Sequence, residues 1–142
     1  MGIHIVTGLP GSGKSFYTAD FAYNLLLKNK KILLKTGRLR QVASNLKFST
    51  EVEEEFLVEF EGVKYNLIKY WSDALTLPEL KDVDIIWEEM GVICDARNWE
   101  NLPTELKRWF QQHRHKGCEI YGNVQEFADV DVHVRRLKPR LI

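Results

Sequence analysis

Gly8 to Ser15 reads GLPGSGKS, a spacing suited to wrapping phosphate. Backbone N–H groups must converge on phosphate oxygens, and glycines allow that approach where side chains would block it. Gly8, Leu9, Pro10, Gly11, Ser12 and Gly13 would supply the cradle. Lys14 would reach the β- and γ-phosphates, and the Ser15 hydroxyl would take one site on Mg²⁺. The stretch lies between IHIVT, which reads as a strand, and a helical-looking FYTADFAYNLLL. That order points a positive helix terminus at the anion. A nucleotide with Mg²⁺, ATP or GTP, is the expected ligand.

A second group is IIWEEMG, where an apolar run ends in two carboxylates. Glu88 fits the acid that holds the water shell of Mg²⁺, and Glu89 fits the acid that polarises an attacking water. The plainer alternative is an acidic pair capping an exposed strand end. Neighbouring side chains in a straight strand point opposite ways, so joint action requires the backbone to turn at Glu89, with Gly91 able to help. The third group is EIYGNVQEF. Gln125 is the first candidate, and Asn123 the second, for an amide that hydrogen-bonds the water or γ-phosphate; the alternative is an ordinary turn residue. Arg97, Arg108, Arg114, Arg135 and Arg136 are candidates for a charge supplied across a subunit boundary, each with the alternative of a surface charge. His113, His115, Cys94 and Cys118 match no standard zinc spacing. Trp99 and Arg97 could stack on and pair with DNA, pack locally, or reach a neighbouring subunit.

These groups need elements to carry them. Ile3 to Thr7 reads as a buried strand and Ser15 to Asn29 as a helix. KILLK (Lys31 to Lys35) reads as a second strand broken by Gly37, and a short helix is expected over Leu39 to Leu46. Two strands around Gly62 suggest an antiparallel hairpin, and SDALTLPELKD a short helix or loop. Val83 to Glu89 reads as a strand, and Pro103 opens a helix. Leu106, Trp109, Phe110 and His113 make one face of that helix, and Gly117 caps it. CEIYGNVQ is a further strand. Alternating strands and helices predict a three-layer α/β P-loop NTPase fold with a mainly parallel central sheet.

The chain has 142 residues, enough for one domain over 1–142. Lys+Arg and Asp+Glu both number 20, so net charge selects no partner. The charge is unevenly spread, with EVEEEFLVEFE acidic and KRWFQQHRHKG and VRRLKPRLI basic. Two distant cysteines argue for a reducing compartment. No run reaches the about 18 apolar residues of a membrane span, and MGIHIV does not read as a signal peptide.

GLPGSGKS, IIWEEMG, DARNW and QQHRHKGCEIYGNVQEFADVDVHVRRL together resemble the N-terminal ATPase domain of the zonula occludens toxin-like proteins. These are assembly ATPases of filamentous phages, related to the FtsK/HerA class of DNA-pumping motors. The resemblance implies nucleotide binding by Lys14 and Ser15, a metal role for Glu88, a catalytic role for Glu89 and a sensor role for Gln125. Arg135 matches the family's tail arginine. Glu88 stands where the family usually has Asp. The implied activity is Mg-ATP hydrolysis coupled to DNA movement, packaging or export in phage assembly. Two other readings stay open: a small-molecule kinase, and a nucleotide-binding assembly protein that does not hydrolyse. The expected partners are further copies of the chain, in a ring by the class, with DNA and other phage assembly proteins. The expected place is the host cytoplasm. Family members typically continue into a membrane span and an outer domain. Residues 1–142 are therefore expected to be a soluble relative or the N-terminal part of a longer chain, which would sit peripheral to the inner membrane.

Overall fold

The structure, a computed structural model, describes residues 3–7, 14–90, 101–124 and 140–141. The chain order is β1 (Ile3–Thr7), α1 (Lys14–Thr36), β2 (Val42–Ser44), α2 (Thr50–Glu55), β3 (Leu57–Phe60), β4 (Val63–Asn66) and β5 (Ile68–Tyr70). A 3₁₀ turn (Ala74–Glu79), β6 (Asp84–Trp87), α3 (Thr104–Gln112), a second 3₁₀ turn (His113–Lys116), β7 (Glu119–Val124) and β8 (Arg140–Leu141) complete it. Six strands form one sheet in the order β5-β2-β6-β7-β1-β8, and every pairing in it is parallel. β3 and β4 form the expected hairpin as a separate antiparallel ribbon.

Side-chain alternation along the strands builds a core on each face. Ile85, Trp87, Ile120, Ile3 and Ile5 face one way and pack with Trp71, which follows β5, with Leu77 of the first 3₁₀ turn, and with Leu106, Trp109 and Phe110 of α3. Trp87 stacks on Phe110 at 5.6 Å. Ile86, Val42 and Ile68 face the other way and meet Ala22, Leu25, Leu26 and Leu33 of α1, with Phe56 and Val58 beneath α2 and the hairpin. The result is the expected three layers. The expected α3 face is buried, with Leu106, Trp109, Phe110 and His113 all inside. Gly117 has φ 71°, and a Cβ there would collide with the Asp82 carboxylate.

Two expectations fail. KILLK is not a strand but the last turns of α1, which runs on to Thr36. Leu33 continues the stripe of Ala22, Leu25 and Leu26 toward the sheet while Leu34 stays exposed, the helical pattern that a five-residue apolar run conceals. Gly37 ends this helix: at φ 75° its N–H bonds the Leu33 carbonyl at 2.8 Å. Leu39 to Leu46 is not helical either. It contains β2, whose three residues are all buried between β5 and β6, as an interior parallel strand requires.

The sheet's C-terminal edge gathers the candidate residues. Thr7 pairs with Val124, and Trp87 with Gly122, so β1, β7 and β6 end side by side. GLPGSGKS leaves that edge after Thr7, and the acids leave it after Trp87.

Candidate active site

All four residues of β6 are buried. The chain emerges at Glu88, half-buried, and Glu89, exposed. Glu89 has φ 59°, in the left-handed region where Cβ crowds the following carbonyl oxygen. The expected turn is therefore present, made by one strained residue at the exit of a rigid strand.

Two asparagines from the flanking strands hold this turn. Asn45 directly follows β2. Its Oδ1 accepts the Glu88 N–H at 2.7 Å and its Nδ2 donates to the Glu88 carbonyl at 3.0 Å. The side-chain amide thus imitates one more rung of the β2–β6 ladder. Asn123, fully buried in β7, works from the other side. Its Oδ1 accepts the Glu89 N–H at 2.6 Å, while its Nδ2 donates to Glu88 Oε2 at 3.0 Å and to Thr18 Oγ1 at 3.2 Å. A backbone N–H can only donate, so Oδ1 must face Glu89 and the amino group must face the carboxylate. One buried amide therefore ties the acid pair to α1, the helix that opens with Lys14.

Gly122 completes the support. A Cβ there would lie 2.6 Å from Met90 Sδ, and Met90 is fully buried. The glycine lets the residue after the acids seat directly against β7.

Of the residues predicted from sequence, the structure brings Glu88, Glu89 and Asn123 together. Lys14 and Ser15 open α1, although their side chains lie outside the described residues. So do Gly8, Leu9, Pro10, Gly11, Ser12, Gly13, Gly91, Cys94, Arg97, Trp99, Gln125, Arg135 and Arg136, and the side chains of Arg114 and His115. Arg108 is exposed on α3. The His113 ring instead bonds its own helix, Nδ1 lying 2.7 Å from the Phe110 carbonyl oxygen. Sequence reasoning missed Asn45 and Thr18. Asn45 was hidden by the misplaced helix over Leu39 to Leu46. Thr18 sits three residues beyond Ser15, one turn along the same helix face, and that spacing could have revealed it.

A parallel sheet whose glycine-rich segment leaves β1 and whose acid pair leaves β6, with β7 between the two strands, is the fold of P-loop-type NTPases. Solved structures share it. The N-terminal domain of zonular occludens toxin from Neisseria meningitidis matches with a TM-score of 0.58 and 23% identity, over 96% of this chain and 72% of that one. The genome packaging NTPase B204 from Sulfolobus turreted icosahedral virus 2, in complex with AMPPCP, matches with a TM-score of 0.60 and 12% identity, over 96% and 70%. Its complex with ATP-gammaS gives 0.57 and 14%, over 96% and 71%. The sequence profile of the Zonular occludens toxin (Zot) family matches residues 2–139. The chain belongs to that family. No curated protein sequence matches it. Among the described residues, no helix is long and apolar enough to cross a membrane.

Proposed function

We propose that the chain is an ATPase of virus assembly, hydrolysing Mg-ATP to move DNA during packaging or export. The observation that carries this reading is the Glu88–Glu89 turn, clamped by Asn45 and Asn123 at the edge from which GLPGSGKS departs. A strand end that only needed solubility would not hold a left-handed glutamate in place with two buried or half-buried amides. Membership of the Zot family supports the assembly role, and the nucleotide complexes of B204 support the ligand class.

Roles follow from chemistry. The loop from Gly8 to Gly13 and Lys14 would cradle the phosphates. Glu88 and Ser15 would hold Mg²⁺. The fit is good, because a carboxylate steadied by an amide donor on one oxygen, with a hydroxyl, is an oxygen donor set that suits a hard cation. When bound, the metal would neutralise charge on the β- and γ-phosphates. Glu89, exposed and aimed by its backbone, would orient water and receive its proton. Asn123 would keep the two carboxylates in different jobs by binding one side chain and the other's backbone. Gln125 and Arg135 retain their proposed sensor and charge-stabilising roles.

The test is Mg²⁺-dependent phosphate release across protein concentration, with and without single-stranded DNA, beside Glu89→Gln. A rate that depends on Glu89 and responds to DNA is expected. Tight ATP binding without turnover would instead leave a nucleotide-holding assembly protein. Transfer only in the presence of a small acceptor would leave a kinase.

A further inference from the structure

Zero net charge conceals a strong separation. Residues 21–50 contain no Asp or Glu but seven bases: Lys28, Lys30, Lys31, Lys35, Arg38, Arg40 and Lys47. Residues 51–61 contain six glutamates and no base. The fold does not neutralise one with the other. Among the described residues, Lys28, Lys31 and Lys35 form no ion pair, and neither do Glu51, Glu54, Glu59 and Glu61; the pair Lys47–Glu53, at 3.2 Å, is local.

Lys30, Lys31 and Lys35 of the first set share one outer layer with the glutamates of the second. The second half of α1 presents an open groove of about 460 Å³ lined by Leu27, Lys30, Lys31, Leu34 and Lys35. Its leucines are 38% and 49% exposed. Beside it stand α2 and β3, which pack against α1 through Phe56 and Val58. Lys30 Nζ lies 6.0 Å from the centre of the Phe56 ring, and the Tyr23 hydroxyl donates to Glu55 at 2.8 Å. The outward side of this acidic strip carries Leu57, 54% exposed. A basic strip with an apolar seam therefore adjoins an acidic strip with an apolar seam.

We propose that this face is where a second copy of the chain docks. The two copies would be related by a two-fold axis that sets the acidic α2–β3 strip of each over the basic α1 groove of the other. A self-complementary face needs both members of each contact on one surface, and here they are adjacent. The neighbouring glutamates also choose among partners. A nucleic acid or an anionic membrane drawn to the lysines would be repelled by the acids beside them, whereas a partner carrying both signs in reversed order is attracted along the whole face. Leu27, Leu34 and Leu57 would supply the dry centre and the charges the rim. The basic half of the contact begins 13 residues along α1, about 20 Å from its first turn. The contact depends on no assumption about turnover.

Sedimentation velocity of the whole chain tests this, at low and high ionic strength and without nucleotide. The parent should form dimers that weaken as salt rises. Lys31→Glu/Lys35→Glu leaves the groove one lysine against two glutamates and makes both strips acidic, and Glu51→Lys/Glu54→Lys/Glu59→Lys/Glu61→Lys leaves two glutamates against four lysines and makes both basic. Each variant alone should stay folded by circular dichroism and lose at least roughly tenfold in dimer affinity. Mixed in equal amounts, the two should recover the parent's dimer, because each supplies what the other lacks. A parent that is monomeric at low salt overturns the proposal. So do variants that dimerise like the parent, or a mixture that stays monomeric. Loss of DNA or anionic-vesicle binding in the lysine variant, with a monomeric parent, would reassign the groove to that partner.

Discussion

Glu89 occupies a conformation that a glutamate enters at a cost. The left-handed region costs a residue with Cβ about 1–2 kcal/mol, and glycine returns part of any gain by its freedom in the unfolded chain. Glu89→Gly should therefore keep the stability of the parent or raise it by up to about 1 kcal/mol. It should nevertheless abolish turnover, since the side chain proposed to orient water is gone. Glu89→Gln keeps the size and the strain and removes only the base. Its melting temperature should match the parent, nucleotide affinity should persist, and phosphate release should fall roughly 10²–10⁴-fold. Thermal melts beside a phosphate-release assay separate the two effects. If Glu89→Gly is both less stable and fully active, the turn has been assigned the wrong purpose. This residue was legible in advance, because two adjacent carboxylates cannot act together at the end of a straight strand without a bend between them. What the sequence could not supply was the means of holding the bend.

At the scale of elements, that means comes from strands on both sides of β6. Asn45 reaches over from the end of β2 and Asn123 from β7. Asn45→Ala would leave the Glu88 N–H and carbonyl without these partners, at a cost of about 1–3 kcal/mol. Its sharper signature should be catalytic, with nucleotide affinity near the parent's and turnover down roughly tenfold to a hundredfold as the acids lose their aim. Asn45→Asp should not rescue it, because a carboxylate accepts the N–H but turns a second oxygen on the Glu88 carbonyl. Equal turnover in parent and Asn45→Ala would remove β2 from the site. Gly122→Ala addresses the other flank. The added methyl would displace Met90 and cost about 1–3 kcal/mol by overpacking, again with turnover falling more than nucleotide binding. The strands that carry these residues were unequally readable. β1 and β6 are apolar runs closed by a loop signal or an acid pair, β7 follows the helix-capping Gly117 and ends in polar residues, and all three were anticipated. β2 was not, since three buried residues inside a polar segment give too short a pattern to reveal a strand. The same brevity made KILLK look like a strand, although Leu33 faces the sheet and Leu34 faces out. Placing β2 correctly is what makes Asn45 visible as part of the site.

Across the whole molecule, the sheet separates two kinds of polar chemistry. The acids, and the end of β1 that GLPGSGKS follows in the chain, lie at its C-terminal edge. Near the start of β6, Arg40 pairs with Asp84 at 2.9 Å, and Asn29 of α1 donates to the other oxygen of the same carboxylate at 2.9 Å. Asp84 is only 4% exposed, so Arg40→Met, which strands a buried charge, should cost about 3–5 kcal/mol. It should also leave nucleotide affinity in the surviving folded fraction unchanged, because the ion pair lies at the other end of the strand from Glu88. Ligand binding should act in the opposite sense. β6 contributes Ile85 and Trp87 to one core and Ile86 to the other, and β1 adds Ile3 and Ile5 to the first, so a ligand gripped at their ends should hold the whole fold and not one layer. A non-hydrolysable ATP analogue with Mg²⁺, at a hundred times its dissociation constant, should add about 2.7 kcal/mol to the unfolding free energy. For a domain of this size that is a rise of about 5–10 °C in the melting temperature. Lys14→Ala should show no rise at the same concentration. Glu88→Gln should keep the part of the shift that nucleotide gives alone and lose the increment that Mg²⁺ adds. Because the readout is binding and not turnover, it is blind to missing partners. A parent whose melting temperature stays flat at saturating nucleotide would sink the phosphate-loop assignment itself, whatever the assays of hydrolysis report.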